Sequence, residues 1–230
     1  MNFISKVFTI RKVPFVSWSE KNPLNLKPKL TTLLILIIGL FFFGVGEAII
    51  IASGSGVSPW TVLAQGISLK YNISIGLATF LVSITILIAW IPLKQVPGIG
   101  TILNAFIIAS AIDISLPYLP KPEVFELKIL QACIGILVVG IGSGIYLTCN
   151  LGPGPRDGLM IGLQRVTNFS LPGIRTLIEF SAVISGWLLG GIVGIGTILF
   201  VIGIGPCVGL GLSLMAVSYT HLTLPTTPYV

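Results

Sequence analysis

The chain has 230 residues, of which 54% are hydrophobic and 9% charged, and its mean hydropathy is +1.03. That balance excludes a water-soluble globular domain, and the lack of strand-like alternation excludes a membrane β-barrel. The net charge of +6 is no nucleic-acid signal, because Lys6, Arg11, Lys12, Lys21, Lys27 and Lys29 all precede the first apolar run.

Residues 1–29 read as a short, partly flexible, basic cytoplasmic tail. Pro14, Pro23 and Pro28 interrupt it, and no small-residue cleavage site ends it, so it is not a signal peptide. Six apolar runs follow, each close to the roughly 20 residues that cross hydrocarbon. They are Leu30–Ala52, Ile73–Leu93, Ile99–Leu119, Ile129–Thr148, Leu171–Leu189 and Thr197–Ala216. In lipid every backbone N–H and C=O must be bonded within its own segment, so the runs are expected as helices. The expected fold is an all-α membrane protein with six transmembrane helices. By the positive-inside rule the basic tail puts the N-terminus in the cytoplasm. Lys94, Arg156 and Arg165 then fall inside, and Lys70, Lys121 and Lys128 outside.

The first run is followed by Gly54-Ser55-Gly56-Val57-Ser58-Pro59-Trp60-Thr61, and the fourth by Asn150-Leu151-Gly152-Pro153-Gly154-Pro155-Arg156-Asp157-Gly158. Glycine and proline break a helix here, and Pro59 and Pro155 suit the first turn of a new one. Each opens a stretch too short and too polar to cross, Pro59–Asn72 and Pro155–Asn168. Two readings stand for these stretches. They are surface turns with interfacial helices, or broken segments that dip into the bilayer and offer helix N-termini to an anionic group.

These loops belong to a longer repetition. Gly44-Val45-Gly46 returns 96 residues later as Gly140-Ile141-Gly142, Asn72-Ile73-Ser74 as Asn168-Phe169-Ser170, and Gly98-Ile99-Gly100-Thr101 as Gly194-Ile195-Gly196-Thr197. The chain therefore divides into repeat 1, residues 30–120, and repeat 2, residues 121–216. Three crossings per copy make the copies inverted, an arrangement common in carriers whose sites lie between the copies. Gly140-xxx-Gly144, Gly186-xxx-Gly190 and Gly205-xxx-Gly209 are expected to let helices approach closely. The last segment, 217–230, has no counterpart in repeat 1. It resembles the translation of a sequencing adapter and is set aside together with His221, the only histidine.

Four ionisable residues fall inside expected spans: Glu47, Asp113, Arg175 and Glu179. A charge at a helix centre costs about 2.5–3.5 kcal/mol on insertion scales, so such residues face protein or water and mark function. Arg175 and Glu179 are four apart, on one helix face. They either serve a transport site or fix helix packing. With Arg156 and Asp157 they gather towards the cytoplasmic side of repeat 2. The repeat mates of Glu47, Asp113, Arg175 and Glu179 are Ser143, Gly209, Thr79 and Ser83, so the charges break the symmetry that the glycines keep. Cys133, Cys149 and Cys207 are spaced too widely for a zinc motif, and no cofactor or metal site is expected.

Ser58-Pro59-Trp60, Trp90-Ile91-Pro92-Leu93, Pro97-Gly98-Ile99-Gly100-Thr101, Gly152-Pro153-Gly154-Pro155-Arg156-Asp157-Gly158 and Arg175-Thr176-Leu177-Ile178-Glu179 resemble the YczE-like bacterial membrane proteins, the YczE/YyaS/YitT grouping. The resemblance covers roughly residues 30–215. It implies a six-span protein of the bacterial inner membrane and no particular activity. The chain departs from that pattern at Thr61 and Ala64, where the family carries Asp and His.

Three functions are open at this point. The first is a carrier of a small anionic or zwitterionic solute, with its site lined by Arg156, Asp157, Arg175 and Glu179, and with Glu47 and Asp113 as further candidates. The second is a non-transporting membrane subunit or scaffold with a protein partner. The third is an intramembrane enzyme, for which no Ser/Lys, Cys or His constellation is present in residues 1–216.

Overall fold

The computed structural model describes residues 13–223, with side chains through residue 216. Lys6, Arg11 and Lys12, the side chain of His221 and the end of the adapter-like segment lie outside the described residues. The helices are α1 (Leu30–Ser53), α2 (Pro59–Tyr71), α3 (Ile75–Trp90), α4 (Ile99–Ser115), α5 (Phe125–Thr148), α6 (Pro155–Thr167), α7 (Leu171–Leu188) and α8 (Ile195–Thr223). A short 3-10 turn, Leu116–Tyr118, extends α4. No strand occurs among the described residues. The helix α8 runs into the segment set aside from the sequence, whose backbone is helical as far as Thr223.

Four helical stretches are long and apolar enough to cross a membrane: Leu30–Ser53, Ile99–Tyr118, Phe125–Thr148 and Ile195–Ala216. The helices α2 and α3 qualify only together, as a pair bent by 115°, which makes up to five. These findings support a multi-pass membrane protein and leave two of the six expected spans short of the criterion. The second expected span, α3, has 16 residues. The fifth, α7, has 18 residues but carries Arg175 and Glu179.

Local chemistry explains the repeated motifs. Asn72 and Asn168 end α2 and α6 in the left-handed conformation, at φ 52° and 56°. Asparagine tolerates that region better than most residues. Two residues later, Ser74 accepts a hydrogen bond from Leu77 N (3.1 Å), and Ser170 accepts one from Gly173 N (3.4 Å). The Asn-x-Ser motif is thus a stop followed by a new N-cap.

The two halves are interlocked. Within the first pair of mates, α1 and α5 run antiparallel: Gly39 lies against Tyr146, Gly46 against Val139, and Gly135 against Ile50. A Cβ on Gly46 would stand 2.6 Å from the Val139 nitrogen, so this crossing demands glycine. Each half also sends a loop to the other. Gly100 N donates to Leu151 O (2.8 Å), and Gly196 N donates to Ser55 O (2.9 Å). Gly56 and Gly152 sit in these loops at φ 112° and 108°, a backbone that side chains rarely adopt. The short helix α2 packs on α7, and α6 packs on α3. Not every contact is matched in the other half: α3 packs on α4, but α7 scarcely touches α8.

The glycine expectations hold in part. Gly140 meets Cys207 and Gly144 meets Gly211, which joins α5 to α8. Gly190, however, lies beyond the end of α7 at φ 99°, where it belongs to a turn. Gly205 faces open space, where a Cβ would meet nothing within 4 Å.

Residues 13–29 form a pinned strap, where the sequence reading expected a partly flexible tail. Trp18 Nε1 donates to Thr148 Oγ1 (3.2 Å), Glu20 N to Cys149 O (3.1 Å), and Asn150 Nδ2 to Glu20 O (2.7 Å). Val16 is buried beneath it. The carboxylate of Glu20 accepts from Lys29 N and Asn25 Nδ2, which holds it below its ordinary pKa.

Candidate functional site

A cavity of about 230 Å³ lies where the halves meet. Its wall contains residues together with their own repeat mates: Ser58 with Gly154, Pro59 with Pro155, Trp60 with Arg156, Thr79 with Arg175, and Ser83 with Glu179. A cavity lined by residues and their own mates lies on the pseudo-symmetry axis of the repeat. The N-termini of both short helices open onto it, since Pro59 and Pro155 are their first residues. The first loop folds back along α1 to reach this depth. Ser58 bonds Glu47, six residues before the end of α1, so the first loop returns by about 9 Å.

Arg156 enters from α6 and Trp60 from α2, and the guanidinium lies 5.3 Å from the centroid of the indole. The pair is a cation–π contact between repeat mates. Arg156 makes no hydrogen bond or ion pair with any described residue. The same holds for the carboxylate of Asp157, which is exposed to the cavity and feels the charges of Arg175 and Arg156. The Asn104 amide and the Tyr146 hydroxyl also line the wall with no hydrogen-bond partner among the described residues. Across the cavity Arg175 Nε donates to Glu179 Oε1 at 2.9 Å. The Arg175 side chain is 58% exposed. A cavity with unpaired groups of both signs can hold a small solute by its charged ends, through charge-assisted hydrogen bonds.

Four of the six residues singled out from the sequence, Arg156, Asp157, Arg175 and Glu179, therefore come together in one wall. Glu47 lies just behind it. It is 1% exposed, and its Oε2 lies within hydrogen-bond distance of the Ser58 and Thr61 hydroxyls. Asp113 lies elsewhere. It accepts from Gly76 N (2.8 Å) and Ser74 Oγ (2.5 Å) at the start of α3, away from the central cavity. Its oxygens complete the cap of that helix. Sequence reasoning passed over Trp60, Asn104 and Tyr146. For Trp60 the signal was there, because it stands 96 residues before Arg156.

A model of the Family of unknown function (DUF6198) matches residues 30–212. An uncharacterized protein of Haemophilus influenzae is 40% identical over 220 residues, which cover 96% of this chain and 97% of that one. The uncharacterized membrane protein YczE of Bacillus subtilis is 29% identical over 174 residues, 73% of this chain and 75% of its own. The uncharacterized protein YyaS of the same organism is 28% identical over 169 residues, 71% and 84% of the two chains. No solved structure matches.

Proposed function

We propose that this chain, which belongs to the Family of unknown function (DUF6198) and so to the YczE-like bacterial membrane proteins, is a carrier for a small anionic or zwitterionic solute. The observation that carries the reading is the cavity between the halves, with Arg156 and Asp157 facing into it unpaired. Its volume lies below the roughly 300–1,000 Å³ of sites for drug-sized ligands, so the cargo is small. In this reading α1, α3, α4, α5, α7 and α8 are six spans in two inverted repeats of the bacterial inner membrane. Support comes from the antiparallel mates α1 and α5 and from the reciprocal loops. The N-terminus is cytoplasmic, in keeping with Lys21, Lys27 and Lys29 beside the start of α1. The polar helix α7 then crosses with its charges turned to the cavity, and its loose edge against α8 is where the site opens.

In this reading the wall binds its cargo by charge and hydrogen bonds. Arg156, spread on Trp60, offers a fork of donors to a carboxylate or similar anion. Asp157 offers an acceptor to a positive group. A second reading, a non-transporting subunit, draws on one observation: Arg175 is already neutralised by Glu179. Reconstituted liposomes separate the two. Small carboxylates and amino acids that raise the thermal midpoint of the purified protein are tested for uptake. We expect uptake of at least one of them, and its loss in Arg175→Ala and in Glu179→Gln while both variants remain folded. Stabilising ligands that never cross, or equal flux in both variants, would overturn the carrier reading.

A further inference from the structure

Glu47 Oε2, Ser58 Oγ and Thr61 Oγ1 form a triangle. Its sides are 3.0 Å from Ser58 to Glu47, 2.9 Å from Thr61 to Glu47, and 2.8 Å from Ser58 to Thr61. All three are hydrogen-bond lengths. A hydrogen bond needs a hydrogen, and each hydroxyl has one. An ionised carboxylate would leave two hydrogens for three sides. One side would then set two lone-pair oxygens together with nothing between them. A hydrogen on Oε2 completes the ring: Ser58 donates to Thr61, Thr61 to Glu47, and Glu47 back to Ser58. Each oxygen then donates once and accepts once.

The remaining oxygen points the same way. Glu47 Oε1 is buried with no hydrogen-bond partner. As the carbonyl oxygen of a neutral acid it carries a modest desolvation cost. As half of a carboxylate it would carry a far larger one. The charged and titratable groups around Glu47 make no ion pair with it. They are Tyr146 on α5, Arg156 and Asp157 on α6, and the Arg175–Glu179 pair on α7. Neither α4 nor α8 adds an ionisable side chain to the cavity wall. At the start of α2 the neighbours are the hydroxyls of Ser58, which precedes the helix, and Thr61. Ser58 belongs to both settings, because it bonds Glu47 and also lines the cavity, whereas Glu47 does not line it.

We propose that Glu47 is the protein's proton site: it is held as the neutral acid by the Ser58–Thr61 ring and exchanges its proton with the cavity through Ser58. The transfer balances simply. Ser58 turns its hydroxyl hydrogen from Thr61 to a water in the cavity and passes it on as it takes the proton from Oε2. The carboxylic acid becomes a carboxylate, the water becomes hydronium, and Ser58 is unchanged. The inference gains its meaning for function from the carrier reading above. Arg156, Arg175, Asp157 and Glu179 sum to zero charge, so loss of the Glu47 proton leaves the site at −1. A proton on Glu47 therefore favours an anionic group at Arg156, and by reciprocity that group favours the proton. Cargo and proton enter the site together.

Infrared spectroscopy of the reconstituted protein reads this directly. We expect the carbonyl band of a protonated carboxylic acid at neutral pH, absent in Glu47→Gln and retained in Asp113→Asn. Thr61→Val should shift the band without removing it, which covers the case of a Glu47→Gln variant that fails to fold. Ser58→Ala should slow its hydrogen–deuterium exchange by about tenfold or more, as expected when a relay to water is cut. Absence of the band in the wild type, or a band indifferent to both Glu47→Gln and Thr61→Val, would overturn the proton site. Unchanged exchange in Ser58→Ala would overturn the route. Because the band is read without any solute, a band that behaves as expected in a protein that moves no solute would sink the carrier reading and spare this one.

Discussion

Trp60 and Arg156 hold the same place in the two halves of the chain, and in the folded protein they touch. A residue meets its own repeat mate only on the symmetry axis, so this contact marks the axis more sharply than any glycine does. Trp60 is 8% exposed, and a cation on a largely desolvated ring gains about 0.5–2 kcal/mol. A double-mutant cycle of Trp60→Leu with Arg156→Gln, read by thermal unfolding in detergent, should give a coupling in that range. A coupling near zero would mean that the two side chains are merely neighbours. Other residue-level features were legible early. Arg175 and Glu179 announced themselves by a spacing of four within an apolar run, and they pair as that spacing requires. Asp113 stands apart from the other five, at the start of α3. The start of another helix brings it N–H and O–H donors, a partner set that the sequence of its own span does not reveal.

At the scale of elements, boundaries were legible wherever a residue type has a single conformational purpose. Proline at the first turn and Asn-x-Ser at the junctions gave the ends of α2 and α6 to within a residue or two. The strap was not legible. Residues 13–29 show no periodicity, and their order comes from bonds to the distant end of α5. Glu20 knots this strap, and its charged form accepts both of its bonds. Its pKa is lowered in the folded state, so its stabilising effect is present above the ordinary value of 4.5 and is lost as pH falls through the lower folded value. A spin label at Leu26→Cys, in a background without the native cysteines, reads the consequence. It should be immobile at neutral pH and become mobile as the pH drops below 4.5. In Glu20→Gln it should be mobile throughout. A label equally immobile in both proteins would show that the strap is held without the Glu20 carboxylate, by its bonds to the end of α5.

The whole molecule raises the question of which way each half faces the membrane. Repetition at a fixed offset was plain in the sequence, but inversion followed only from the number of crossings, and two of the six spans fall short on length or apolarity. The structure adds geometry that is independent of that number. The mates α1 and α5 are antiparallel, and the loop after α1 binds the start of α8 as the loop after α5 binds the start of α4. If the halves are inverted, any two mates at the tips of the short helices lie on opposite sides of the bilayer. Leu69 near the end of α2 and Arg165 near the end of α6 are such mates, and both are exposed. Single cysteines at these positions, in a background without Cys133, Cys149 and Cys207, can be challenged in intact cells with a membrane-impermeant thiol reagent. With the basic strap in the cytoplasm, Leu69→Cys should react from outside and Arg165→Cys only after the membrane is opened. Labelling of both from one side would place the two short helices on one face. The cavity would then lie between halves that share an orientation, and rocking about it would open no second side.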